Sequence, residues 1–217
     1  MATVLTPRRR KRKEPQYKFG LQSNGILMTP QEFDDSTEDD FDQNWSYELI
    51  NGVLVVSPIP LEQEADPNDE LGYILRSYQD NHPEGKVLDK TLPERYVKCG
   101  RNRRKPDRVI WCGLGRLPRK NENPTIAVEF VSRRKRDRDL DYDTKRREYQ
   151  KAKIQEYWII DRFEKIMTVH VLEDGKYRTK TVHAKQIYRT ALLPGFDLPL
   201  ARLLKLANQW PDVEEPT

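Results

Sequence analysis

Two carboxylates stand in apolar strand sequence, where a charge is costly. Glu129 lies inside the run Thr125-Ile126-Ala127-Val128-Glu129-Phe130-Val131, and Asp107 leads into Val109-Ile110-Trp111 directly after Pro106. Burying an ionised carboxylate is unfavourable by several kcal/mol unless it is paired or holds a metal. On the two-residue period of a strand, Glu129 shares a face with Ala127 and Val131, while Ile126, Val128 and Phe130 point to the opposite layer. If the two strands are neighbours, both carboxylates converge at one end of a sheet. Two hard oxygen donors suit Mg2+, or Mn2+ in its place, because Mg2+ keeps several waters and takes only one or two protein carboxylates. An ion so held lowers the pKa of a bound water and polarises a phosphoryl oxygen. The spacing also permits a structural reading, with Asp107 capping a strand turn and Glu129 paired to an arginine.

The elements that must position this pair are marked by pattern and punctuation. Thr29-Pro30-Gln31-Glu32 predicts a helix start, with Thr29 as N-cap, Pro30 at the first helical position and Glu32 completing a capping box. Tyr47–Ile50, Asn51-Gly52 and Val53–Val56 predict an N-terminal β-hairpin, since Asn-Gly supplies the two positive-φ residues of a type I′ turn. The proline-bearing stretch 57–67 reads as a loop. Leu71, Ile74, Leu75 and Tyr78 then mark an amphipathic helix over Asp69–Asn81, stopped by His82-Pro83-Glu84-Gly85. Strands are predicted near 86–97, 107–112, 125–131, 156–161, 166–173 and 176–183, the last two joined at Asp174-Gly175, with helices near 142–152 and 200–208. This order predicts an α/β layer with a mixed sheet. It divides the chain into a flexible basic arm over 1–25, one domain over 26–208 and a flexible tail over 209–217.

The bulk numbers bound the class. The chain has 217 residues, 34% charged and 36% hydrophobic, enough for one domain with its own core. Cys99 and Cys112 are too few for a disulfide framework or a cysteine zinc site. His82, His170 and His183 are scattered singly and read as surface or loop residues. No run approaches the roughly twenty apolar residues of a membrane span, and no signal-peptide core is visible, so a soluble cytoplasmic protein is expected.

The net charge of +4 conceals segregation. Arg8–Lys13 are six consecutive bases, residues 31–43 carry seven acids and no base, and residues 133–153 hold ten bases against five acids. Arg101, Arg103, Arg104 and Lys105 precede Asp107, while Arg133, Arg134, Lys135 and Arg136 follow the strand of Glu129. At the rim of a site they could hold a phosphodiester backbone without reading sequence. Ordinary surface charge is the other reading.

Eight short pieces in order carry a resemblance. They are Met28-Thr29-Pro30-Gln31-Glu32-Phe33; Tyr47-Glu48-Leu49-Ile50-Asn51-Gly52; Ser57-Pro58; Pro106-Asp107-Arg108-Val109; Val128-Glu129-Phe130-Val131-Ser132; Asp143-Thr144-Lys145 with Tyr149; Glu156-Tyr157-Trp158-Ile159-Ile160-Asp161; and Leu193-Pro194-Gly195-Phe196. Together they resemble the Uma2 family of restriction-endonuclease-like proteins, within the PD-(D/E)XK nuclease superfamily, over about residues 28–200. The resemblance implies a restriction-endonuclease-like fold, a mixed central β-sheet flanked by helices. It carries Asp107 and Glu129 over as Mg2+ ligands and Glu48 as a third acid near the site. Glu48 can also be read as a solvent-facing hairpin residue. The superfamily's lysine two residues after Glu129 is replaced by Val131, and the family's helical lysine corresponds to Lys145. Lys145 then assists the attacking water; its other reading is an i,i+4 pair with Asp141.

The function implied is a Mg2+-dependent endonuclease hydrolysing DNA, with a homodimer as a convenient form for cutting both strands. A catalytically silent nuclease-fold protein that binds nucleic acid or a protein partner is the alternative. Tyr157 and Trp158 are expected to pack in the core.

Overall fold

Asn51 and Gly52 take φ of 52° and 82°, closing the tight turn between β1, Trp45–Ile50, and β2, Val53–Pro58. The computed structural model describes residues 18–132 and 140–211. The capping box upstream of the hairpin also forms: Thr29 Oγ1 accepts from the Glu32 amide at 3.2 Å, and Glu32 Oε2 from the Thr29 amide at 2.7 Å, opening α1, Pro30–Asp35.

The hairpin is half of a four-stranded antiparallel sheet ordered β2-β1-β5-β4, where β4 is Val97–Cys99 and β5 is Asn102–Arg104. The central sheet has six strands, β10-β9-β8-β7-β6-β3. These are β3 Leu88–Pro93, β6 Arg108–Cys112, β7 Ile126–Phe130, β8 Glu156–Asp161, β9 Ile166–Glu173 and β10 Lys176–His183. β7 and β8 run parallel and the other neighbours antiparallel, so the sheet is mixed. A parallel pair needs a crossover. On its described part this is a π-helical turn, Leu140–Lys145, leading into α3, Arg146–Lys151. A two-stranded ribbon, β11 Ile187–Tyr188 and β12 Leu198–Pro199, precedes α4, Leu200–Ala207.

The alternation in β7 assigns its faces as expected. Ile126, Val128 and Phe130 join Leu71, Leu75, Trp158 and the leucines of α4 in one core; Ala127 and Val131 join Tyr149, Ile154 and Tyr157 in the other. Tyr157 and Trp158 are both fully buried, one in each layer.

Several boundaries differ from the sequence reading. The long helix α2 spans Glu62–Asn81 and begins seven residues earlier than expected, with Pro67 inside it. Glu64 accepts the Leu61 amide at 2.8 Å and so caps the start, while Pro67 withholds one amide early in the helix. The basic segment after β4 is strand rather than loop, because β5 pairs with both β1 and β4. The arm expected over 1–25 is not an arm where it is described. Phe19 is buried, bridges Phe41 and packs its ring at a tilt against it with centroids 5.2 Å apart, and Gly25 donates to the Leu54 carbonyl at 2.8 Å. The expected tail likewise docks at its start: Trp210 Nε1 donates to Asp66 at 2.8 Å and Gln63 to the Pro211 carbonyl. Arg8–Lys13, residues 133–139 and residues 212–217 lie outside the described residues. His170 is buried instead of surface-exposed, stacked between Tyr157 and Tyr177, and burial pushes its pKa down to about 4. No helix among the described residues is long and apolar enough to cross a membrane.

α2 is seated on the central sheet by a buried arginine. Arg108 donates to Asn68 Oδ1 at 2.7 Å, to the Asn68 carbonyl at 2.8 Å and to Thr91 Oγ1 at 3.2 Å. A Cβ on Gly72 would come within 2.7 Å of that guanidinium. Gly72→Ala should therefore destabilise the protein by about 1–3 kcal/mol in denaturant melts. This opposes the roughly 1 kcal/mol that alanine's helix propensity adds. A variant at least as stable as wild type would contradict this packing.

Candidate functional site

Register brings the two carboxylates together. Arg108 in β6 faces Val128 in β7, and one more antiparallel step places Asp107 opposite Glu129. Asp107 Oδ2 accepts the Phe130 amide at 2.6 Å, which fixes that carboxylate at the end of β7. The Asp107 carbonyl in turn accepts from Asn68 Nδ2 at 2.8 Å and from the Glu94 amide at 3.1 Å, so its backbone is held from both sides.

Glu129 projects into the layer covered by α3. It is 4% exposed, and its Oε1 accepts from Lys145 Nζ at 2.7 Å and from the Tyr149 hydroxyl at 3.3 Å. Lys145 and Tyr149 are one helical turn apart, so both reach the same oxygen. Lys145 also pairs with Asp141 Oδ1 at 2.9 Å, and the Tyr157 hydroxyl donates to the Asp141 carbonyl at 3.1 Å. Two of the three ammonium protons are thereby assigned.

The second oxygens are the chemically informative ones. Among the described residues, Asp107 Oδ1 and Glu129 Oε2 accept no hydrogen bond. Both acids stand beside the ammonium of Lys145, which pairs with Glu129 and with Asp141. Burial pushes the Asp107 pKa up to about 7; the Phe130 amide and Lys145 oppose the shift, and Asp141 and Glu64 add to it. Burial likewise holds Glu129 well above the carboxylate range, with Lys145 pulling down and Asp141 and Asp107 pushing up. Burial disfavours the Lys145 ammonium, yet Asp141, Glu129 and Glu48 outweigh it and hold that pKa well above its ordinary value. No group of three or more His, Cys, Asp and Glu among the described residues could hold a metal, so an ion here would rest on two carboxylates and water. That donor set fits Mg2+ or Mn2+ and does not fit zinc.

Glu48 is close enough to influence Lys145 but has no free oxygen. Its Oε1 accepts the Lys105 amide at 2.8 Å and its Oε2 accepts from Arg104 at 3.2 Å. It is half-buried rather than a solvent-facing hairpin residue.

The basic rim expected before Asp107 is corrected by the structure. Arg103 is buried in a two-pronged contact with Asp34, at 2.7 and 2.8 Å. Arg104 is fully buried against Glu148 and Glu48, and Lys105 pairs with Glu94 at 2.7 Å. The physical reason is that the pairing of β5 buries Arg103 and Arg104 against acids of α1, α3 and β1, and Lys105 just beyond it meets Glu94 after β3. Arg101 stays exposed. Arg133, Arg134 and Lys135 lie outside the described residues.

Sequence reasoning passed over two residues of the site. Asp141 enters the sequence reading only as the i,i+4 partner of Lys145, a pair that forms, and that spacing is the signal that finds it. Tyr149 carried no role, although it too stands four residues from Lys145.

A family model described as "Uma2: Putative restriction endonuclease" matches residues 30–201. Among solved structures the chain is similar to a putative nuclease belonging to DUF820 from Anabaena variabilis. The identity is 16%, the match covers 83% of this chain and 99% of that one, and the TM-score is 0.64. At that identity the likeness speaks for the fold, a nuclease-like mixed α/β architecture. No curated protein matches the chain.

The raised Asp107 pKa has a stability consequence with a definite sign. An unfolded aspartate titrates near pH 4. The folded value of about 7 lies above it, so charging Asp107 costs stability progressively as pH rises from about 4 to about 7. Asp107→Asn can still accept the Phe130 amide and removes that cost. In denaturant melts of metal-free protein it should exceed wild type in stability at pH 8, with the gap closing as pH falls towards 4. A gap that is absent at pH 8, or that widens in acid, would contradict the assignment.

Proposed function

The chain belongs to the Uma2 putative restriction endonuclease family, and from that membership and the geometry above we propose that it is a Mg2+- or Mn2+-dependent endonuclease hydrolysing DNA phosphodiester bonds. One observation carries the reading. Two carboxylates on neighbouring strands each keep one oxygen free, beside a lysine fixed by the other oxygen of Glu129.

Asp107 Oδ1 and Glu129 Oε2 are the oxygens that would hold the ion. When bound, such an ion supplies a Lewis acid for the phosphoryl oxygen and a water of lowered pKa. The protein's own contribution is placement and charge. The Phe130 amide keeps Asp107 from rotating, and Tyr149 and Lys145 keep Glu129 from rotating. Lys145 has spent two protons on Glu129 and Asp141, leaving a third to donate to the attacking water or to a phosphoryl oxygen. In this reading Lys145 stands in for the superfamily's strand lysine, whose place in the sequence is taken by the buried Val131. Glu48 contributes field rather than ligation, because both its oxygens are occupied. Stabilisation of this kind depends on groups already in place before reaction.

A plasmid-nicking assay tests the reading. Wild type should nick DNA with Mg2+ or Mn2+ and not with EDTA, and Asp107→Ala or Glu129→Gln should lose the activity. Lys145→Met should lower the rate on the order of 100- to 1,000-fold, the scale for removing one transition-state donor. Equal nicking by wild type and Asp107→Ala would reveal a contaminant and overturn the proposal. A folded protein without nicking on single-stranded, duplex and branched DNA leaves the binding-only alternative.

A further inference from the structure

Arg104 is, after Trp158, the largest fully buried side chain described, and it is charged. A guanidinium in that position is tolerable only when its donors are engaged by anions. Nε and Nη2 grip Glu148 at 2.6 and 2.9 Å, and Nη1 reaches Glu48 at 3.2 Å. Asn102 Nδ2 adds a further contact to Glu148 Oε1 at 2.9 Å, and its Oδ1 accepts the Asn51 amide at the hairpin turn at 2.8 Å.

The two acids belong to different layers. Glu148 stands on α3 between Lys145 and Tyr149, the two residues that touch Glu129. Glu48 stands on β1, and its second oxygen takes the amide of Lys105, two residues before Asp107. Arg104 is not in hydrogen-bond contact with Asp107, Glu129 or Lys145. Yet it ties together the strand that runs into Asp107, the hairpin acid and the helix that carries the lysine. A bidentate grip fixes orientation as well as distance. The contact therefore sets both how far along β7 the helix sits and how it is rotated.

We infer that Arg104 is a positioning residue of the proposed nuclease site, clamping Glu48 and Glu148 so that Lys145 stays in register with Glu129. The inference rests on the catalytic reading of Lys145. Displacing a catalytic group by about 1 Å can lower a rate by about 100-fold, even from a remote substitution. The metal ligands themselves would be left where they are.

The test compares Arg104→Met, Arg104→Lys and Glu148→Gln in the full chain, each checked for folding by circular dichroism. Mn2+ affinity is measured by titration calorimetry, and plasmid nicking is measured at saturating DNA and Mn2+. Lys145 is followed as the slowly exchanging Nζ–H signal in lysine-labelled protein, assigned by its loss in Lys145→Arg. Arg104→Met should keep Mn2+ affinity and the KM for DNA within about threefold, lower kcat about 100-fold and lose the Lys145 signal. Arg104→Lys, which keeps the charge but not the fork, should recover part of kcat and of the signal.

A folded Arg104→Met with wild-type kcat and an intact Lys145 signal would overturn the inference. If Arg104→Met does not fold, Glu148→Gln decides on the same terms, since it removes the charge and one of the two accepting oxygens that hold Arg104. If wild type binds Mn2+ and never nicks, the nuclease reading fails by itself. The positioning claim is then settled by the Lys145 signal: lost in Arg104→Met and partly restored in Arg104→Lys supports it, unchanged refutes it.

Discussion

The contact between Lys145 and Glu129 is the interaction on which the rest of the arrangement depends. Glu129 sits in the middle of a strand buried on both faces, where an unpaired carboxylate would disrupt the core. A cation must come from somewhere, and the parallel β7–β8 pair dictates where. Its crossover ends in α3 lying over the face of Glu129, so a lysine in the turn leading into that helix meets the acid at 2.7 Å. The same crossover brings Asp141 to the ammonium and Tyr149 to the carboxylate. Fold topology and site chemistry are therefore one constraint. Either carboxylate oxygen of Glu129 could have served the pair; the structure commits Oε1 and leaves Oε2 open.

A second constraint works from the outside inward. The four-stranded sheet and α1 form a small layer with its own aromatic core around Phe33, Phe41 and Tyr47. Its cationic segment Lys98–Lys105 makes ion pairs both within this layer and to the central unit. Lys98 and Arg103 hold Asp34, Arg104 holds Glu48 and Glu148, and Lys105 holds Glu94. Asp34 and Glu48 are thus neutralised within the small layer, while the pairs of Arg104 with Glu148 and of Lys105 with Glu94 reach beyond it. Buried pairs of this kind specify geometry more than they add stability. That suits a join whose purpose is to hold Glu48 and α3 in fixed relation.

What was legible in the sequence follows from how local each signal is. The hairpin at Asn51-Gly52, the Thr29 cap and the faces of β7 depend on neighbouring residues, and all formed as read. The family relationship was readable because eight short pieces kept their order, and the family match over 30–201 agrees with it. The bases before Asp107 were misread because a run of arginines looks alike whether it faces water or three acids distant in sequence. Nothing near Arg104 announces Glu148, forty-four residues away. The start of α2 was missed for a different reason: Pro67 reads as a breaker, and only the cap at Glu64 and the packing of the early turns offset it. His170 lies on the face of β9 opposite the apolar alternation Met167, Val169 and Val171, and a single histidine carries no mark of its stacking partners.

The central claim is that a divalent cation is held by the free oxygens of Asp107 and Glu129. The most direct measurement is a crystal of the protein soaked in millimolar Mn2+, with anomalous scattering recorded near the manganese edge. An anomalous peak bonded to Asp107 Oδ1 and Glu129 Oε2 is expected, with Lys145 still on Glu129 Oε1. Ordered, metal-free Asp107 and Glu129 side chains, or a peak seated elsewhere, would contradict it.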